Sequence, residues 1–229
     1  FAAGRAFEII RNSIGYTGAS VKDCATHAGL TVGEEGASHQ AIEDLALMRT
    51  IPGMTVINPA DDISARKLLK AAAEMKGPVY VRLGRAAVPV IYDEETDVQI
   101  GKALLLREGK DYTIIATGIM VNQALEAAGQ LSAEGIEVRV LDMHTLKPMD
   151  EDAVVRAARE TKGIVTVEEH TVIGGLGAAV AQICCEKAPA KVSFVGIRDT
   201  FGESGKPDEL LEKYGLTAAA IADAVRAMA

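Results

Sequence analysis

Between His27 and Gln40 the sequence HAGLTVGEEGASHQ gathers two of the chain's four histidines, the adjacent carboxylates Glu34 and Glu35, and Gly29, Gly33 and Gly36. Imidazoles carry protons near neutral pH, carboxylates hold hydroxyl groups, and glycines let backbone approach a ligand closely. The pattern points to proton movement on a polar molecule. The competing reading is a surface loop whose histidines cap the next helix. His27 and His39 stand twelve residues apart and match no zinc spacing, so no metal is expected on these side chains. GASHQ misses the G-x-S-x-G nucleophile elbow at its last position. Arg82 and Arg85 close the run PVYVRLGR, where two guanidinium groups suit a phosphate or carboxylate, or else surface ion pairs. Gly174, Gly175 and Gly177 break the dinucleotide fingerprint and read as a tight strand-to-helix turn, and GESGK at 202–206 lacks phosphate-loop spacing. His144 and His170 lack catalytic company, and Cys184 and Cys185 read as packing residues.

The elements that must position the loop follow from periodicity. Phe7, Ile10 and Ile14 mark one face of an opening helix, and QAIEDLALMRT predicts a second helix with Ser38 as N-cap and Ile42, Leu45 and Ala46 facing inward. MTVINP and PVYVRLG read as strands around a helix over ISARKLLKAAAEM. Residues 86–101 lack a helical period and carry an acidic cluster, so they read as a linker. Strand and helix then alternate again, giving four strands (YTIIATG, IEVRVLDM, GIVTVEEH and VSFVGI) and two closing helices, PDELLEKYG and TAAAIADAVRAM. This alternation predicts an α/β chain in two parts, a partial unit over 1–85 and a complete smaller unit over 102–229. The first unit reads as the back half of a similar unit, and the chain opens on Phe1 without a cap residue, as a fragment would. Loops after the carboxyl ends of parallel strands are where such sheets bind ligands, which suits 27–40.

Composition narrows the function classes. The 229 residues are 48% apolar, with 24 Lys and Arg against 32 Asp and Glu, a net charge of −8. That balance argues against a duplex nucleic-acid binder. No apolar run approaches the roughly 18 residues of a membrane span, and no signal segment opens the chain. Three cysteines cannot build a disulfide framework, so a reducing cytoplasm is expected.

Beyond these readings, THAGLTVGEEGASHQAIEDLALMRTIPGMTVINPAD and GPVYVRLGR resemble the pyrimidine-binding domain of transketolases. ATGIMVNQALEAA, VRVLDMHTLKPMD, VTVEEHTVIGGLG and DTFGESGKPDELLEKYGLT resemble the family's C-terminal domain. Parts of the pattern are shared with 1-deoxyxylulose-5-phosphate synthase and the β subunit of 2-oxoacid dehydrogenases. The size is similar to the C-terminal subunit of a split transketolase. The resemblance implies two-carbon ketol transfer from a ketose phosphate to an aldose phosphate with thiamine diphosphate and Mg²⁺. It implies as partners the separate diphosphate-binding N-terminal subunit and a second copy of this chain, in an α2β2 assembly. The alternatives are a deoxyxylulose-phosphate synthase, which uses pyruvate as donor, and a non-catalytic assembly module.

By motif match the resemblance gives His27 and His39 catalytic roles at the donor's reacting end. It gives Glu35, Ser38 and Arg85 sugar or phosphate contacts, and Phe1 a place against the aminopyrimidine ring. Glu35 stands where the family usually has Asp, one methylene shorter, which bears on donor preference. The family's activating glutamate lies upstream of the first helix and has no counterpart in these residues, and the groups for Mg²⁺ and diphosphate belong to the partner. The chain by itself is therefore expected to be inactive.

Overall fold

The computed structural model describes residues 1–228. A short helix α1, Phe7–Ile9, runs on as a π-helical turn, Ile10–Gly15, and buries Ile10. Strand β1 (Lys22–Ala25) leads into the 27–40 loop, whose middle is a 3₁₀ helix, Leu30–Glu35. Then come α2 (Asp44–Thr50), β2 (Thr55–Ile57), α3 (Asp62–Glu74) and β3 (Val79–Arg82). Asp61 starts α3 through a capping box: its carboxylate accepts the Ser64 N–H, while the Ser64 hydroxyl accepts the Asp61 N–H.

The second stretch comprises β4 (Leu104–Arg107), β5 (Tyr112–Ala116), α4 (Met120–Ala133), β6 (Val138–Asp142), β7 (Thr145–Lys147) and α5 (Glu151–Glu160). It continues through β8 (Ile164–Thr171), α6 (Leu176–Lys187), β9 (Val192–Ile197), α7 (Pro207–Lys213) and α8 (Ala218–Arg226). The two sheets have orders β1-β3-β2-β7 and β4-β6-β5-β8-β9. All neighbours are parallel except β2–β7 and β4–β6. Every residue of β5 is buried, the mark of a central parallel strand covered by helices on both faces.

The expected alternation is present, with two additions. β4, half exposed and without clear alternation, forms an antiparallel edge, so the second sheet has five strands rather than four. β7 leaves its own stretch to pair with β2 of the first sheet. Residues 86–101 hold no helix or strand, yet they are strapped down: Asp61 accepts the N–H groups of Ile91 (3.0 Å) and Tyr92 (3.1 Å). The Tyr92 hydroxyl then reaches the buried Asp142 at 2.6 Å.

Burial pushes the Asp142 carboxyl up to about 7, against the hydrogen bond from Tyr92 and with the help of nearby Asp61. Because this folded-state value lies above the ordinary 3.8, the associated stability is complete below about pH 4 and fades as the pH rises through 7. The Tm advantage of Asp142→Asn over the parent chain is thus expected to grow from pH 5 to pH 8. Between pH 5 and pH 8 the driving difference grows by about 3 kcal/mol. Thermal unfolding of both proteins across that range checks this, and an advantage independent of pH would contradict it.

Candidate functional site

Strand alternation and glycine geometry build the site. β1 and β3 run parallel with Ala25 opposite Arg82, so the segments after both strands emerge side by side. The loop returns along this rim: Gly29 donates to the Ala41 carbonyl at 2.8 Å, and Ala28 bridges Ala41. Gly29, Gly33 and Gly36 all take positive φ, at 84°, 82° and 74°, which a side chain would resist. His27 also has positive φ, 63°, a left-handed backbone that non-glycine residues adopt at some cost.

The result is an open cleft of about 380 Å³ lined by Phe1, His27, Glu35, His39, Val32 and Tyr80 together with Ala25, Ala28 and Ala41. His27 Nδ1 lies 3.0 Å from the Thr26 hydroxyl and His39 Nδ1 lies 3.0 Å from the Ser38 hydroxyl. A hydroxyl can donate or accept, so each contact survives either tautomer, and each Nε2 is left without a partner among the described residues. The His39 ring meets Phe1 edge to face, centroids 5.2 Å apart at 87°, and the Arg5 guanidinium covers the Phe1 ring at 4.6 Å. Two imidazoles, a carboxylate and an aromatic ring thus line one space.

Each expected site residue has a definite position. Phe1, His27, Glu35 and His39 share the cleft. Ser38 is exposed and held to His39, and it caps no helix. α2 begins at Asp44 with Glu43 before it, because 36–42 is spent on turns and on the Ala28–Ala41 bridge. Arg85 sits at the rim: it donates to the Val32 carbonyl at 2.7 Å, pairs with Glu34 at 3.6 Å, and keeps 42% of its side chain exposed. Arg82 does not join it.

Arg82 is buried beneath the cleft, in a network that sequence reading missed. Its Nε donates to Asp44 at 2.9 Å, and another guanidinium N–H donates to the Glu169 carbonyl at 3.0 Å. The Tyr80 hydroxyl donates to the same Asp44 oxygen at 2.8 Å. Burial opposes charge on Asp44, but Arg82, His170 and these hydrogen bonds outweigh it and hold the carboxyl below its usual range. Burial and Asp44 push the Tyr80 hydroxyl far upward, so it stays a donor. Glu169 accepts the Thr31 N–H at 2.7 Å, with burial raising its carboxyl against the pull of Arg82.

His170 is fully buried; its Nδ1 reaches the Thr171 carbonyl at 2.6 Å and its Nε2 the Ala46 N–H at 3.3 Å, a wholly internal role. His144 is buried as well. Glu168 closes the Gly174–Gly177 turn by accepting the N–H groups of Leu176 (2.7 Å) and Gly177 (2.8 Å) at the start of α6. Cys184 packs as expected, whereas Cys185 is exposed.

Gly29 lies against the Glu169 carboxylate so closely that a Cβ would overlap it. Gly29→Ala is therefore expected to cost at least about 2 kcal/mol, through strain at positive φ and steric conflict. Urea unfolding measures it, and a change under 0.5 kcal/mol would be at odds with this packing.

Among the described residues no three His, Cys, Asp or Glu side chains are grouped to hold a metal ion, and no lysine or arginine lines the cleft. The cleft thus presents an aromatic and polar wall. No helix among the described residues is long and apolar enough to cross a membrane.

Comparisons with known proteins agree with this architecture. The family model for the transketolase pyrimidine binding domain matches residues 1–90, and that for the transketolase C-terminal domain matches 101–221. A 6-deoxy-6-sulfo-D-fructose transketolase subunit of Clostridium sp. is 46% identical over 95% of this chain and 68% of its own length. Human transketolase is 38% identical over 98% of this chain, which corresponds to 36% of the human protein. A solved structure described as a split gene transketolase, inactive beta4 tetramer, superposes with a TM-score of 0.94 and 56% identity. It covers all of this chain and 73% of that one. With both family models matched and relatives of this similarity, the chain belongs to the transketolase family.

Proposed function

We propose that this chain is the C-terminal subunit of a split transketolase. It would transfer a two-carbon ketol unit from a ketose phosphate to an aldose phosphate, with thiamine diphosphate and Mg²⁺. The observation that carries the reading is the convergence of His27, Glu35, His39 and Phe1 on one cleft. When bound, thiamine diphosphate supplies a carbanion nucleophile and an electron sink for breaking a carbon–carbon bond beside a carbonyl. Phe1 offers its ring to the aminopyrimidine. His27 and His39 present Nε2 to the donor's hydroxyl and carbonyl oxygens, giving or taking a proton as charge there rises and falls. Glu35 accepts hydrogen bonds from sugar hydroxyls, and Ser38 holds the His39 ring through Nδ1. Arg85 has guanidinium N–H groups left over for a sugar phosphate.

On this reading the diphosphate and Mg²⁺ are held mainly by an N-terminal partner subunit. The similar structure, described as a split gene transketolase in an inactive beta4 tetramer, supports the need for a partner subunit; we read the working assembly as an α2β2 complex, and the cysteine usage as that of a reducing cytoplasm. The test is donor consumption by the complex isolated from its source, with cofactor and Mg²⁺ supplied and a phosphorylated aldose as acceptor. Use of xylulose 5-phosphate with two-carbon transfer is expected. Use of pyruvate with carbon dioxide release would overturn the reading in favour of a deoxyxylulose-phosphate synthase. Consumption of neither donor would favour an assembly module.

A further inference from the structure

The loop that carries His27, Glu35 and His39 is gripped from outside its own sheet. Gln40, 5% exposed, lies directly after His39 and points away from the cleft residues into the contact with 202–207. Its two Nε2 hydrogens are shared among three carbonyls, those of Leu30 (3.2 Å) and Gly33 (3.2 Å) at the two halves of the 3₁₀ helix and that of Glu203 (2.9 Å) in the segment before α7. Backbone closes around this knot. A Cβ on Gly202 would overlap the Gln40 carboxamide, one on Gly36 would press on Ser204 Oγ, and one on Gly33 would sit 3.3 Å from Pro207. The Thr31 N–H is fixed at the same time by Glu169 of β8.

We infer that Gln40 is a positioning residue through which the second stretch of the chain holds the His27–His39 loop in its working geometry. Three carbonyls, two in the loop and one in 202–206, share one carboxamide, so loss of that donor frees the loop from its only side-chain tie to Glu203 among the described hydrogen bonds. The 202–206 segment thereby acts on the cleft without touching its contents. For the reaction this inference rests on the transketolase reading; for the grip itself it does not.

Two variants approach the knot from opposite sides. Gln40→Met keeps the volume and removes the donor; Gly202→Ala leaves Gln40 in the sequence but forces its carboxamide aside. Amide hydrogen exchange of the chain is expected to quicken at least about tenfold over 29–40 in both variants, with the core amides of β5 and α4 unchanged. In the complex with the partner, kcat/KM for the ketose donor is expected to fall about 10- to 100-fold in both, since small misplacements of reacting groups are costly. Unchanged exchange over 29–40, or a uniform rise across the whole molecule, would overturn the inference, the second because it marks a merely structural role. Loosened exchange with undiminished turnover would overturn the link to catalysis. If the parent complex performs no ketol transfer, the functional reading fails, while the exchange result still judges the grip.

Discussion

Arg82→Met is expected to destabilise the fold by about 3–5 kcal/mol at pH 7, the usual consequence of leaving a buried charge without its partner. Asp44 is 1% exposed and would retain only the Tyr80 hydroxyl among its present close side-chain donors. The pH dependence identifies the cause. In the parent, Asp44 ionises below its ordinary value, so its contribution is present above about pH 4 and lost as the pH falls through the folded-state value. Without Arg82, burial is left to dominate and the carboxyl moves above its ordinary range. The protonated form then favours the fold, and stability is lost as the pH rises. The penalty of Arg82→Met should therefore be larger at pH 7 than at pH 5. Asp44→Leu combined with Arg82→Met should recover part of the loss, as replacing both members of a buried pair often does. Urea unfolding of the parent and the two variants at both pH values measures all of this. A loss under 1 kcal/mol, or one equal at both pH values, would mean that the pair is not what holds the cleft floor.

His39→Ala is expected to lower kcat/KM of the complex by about 10²- to 10⁴-fold, the range for removing a positioned proton-transfer group, with assembly intact. Alanine also removes the edge-to-face contact with Phe1, which such pairs place at about 0.5–1.5 kcal/mol. His39→Phe separates the two contributions: it keeps an aromatic edge against Phe1 and carries no proton. If proton movement at Nε2 is what matters, phenylalanine is as damaging as alanine. If ring packing is what matters, phenylalanine restores most of the rate. Steady-state kinetics with the ketose donor, alongside sizing of the complex, decides between them. Full activity in both variants would remove the basis for a catalytic His39.

What the sequence makes legible here depends on whether the signal is local. The 27–40 loop stands out because histidines, carboxylates and glycines occur within fourteen residues, and the structure does gather His27, Glu35 and His39. The main helices and parallel strands follow from periodicity. Ser38 misleads because a serine ahead of an apolar period looks like a cap, whereas Gln40 and the Ala28–Ala41 bridge keep that backbone out of the helix. Arg82 and Arg85 look like a pair at a strand end, but Arg82 still lies within β3 and turns inward, and Arg85 lies beyond it. The network beneath the cleft joins residues 36 to 138 positions apart, and no window along the chain can see it. β7, three residues before a proline, is too short to signal itself, and its partner belongs to the other sheet.

That loaned strand sets where the gene product can be cut. A break between β3 and β7 would leave the earlier piece with the flank of β2 bare, a row of unpaired amides ready to recruit a stranger's backbone. The later piece would carry an orphan strand with nothing to bind. Separately expressed halves are therefore expected to be poor soluble modules.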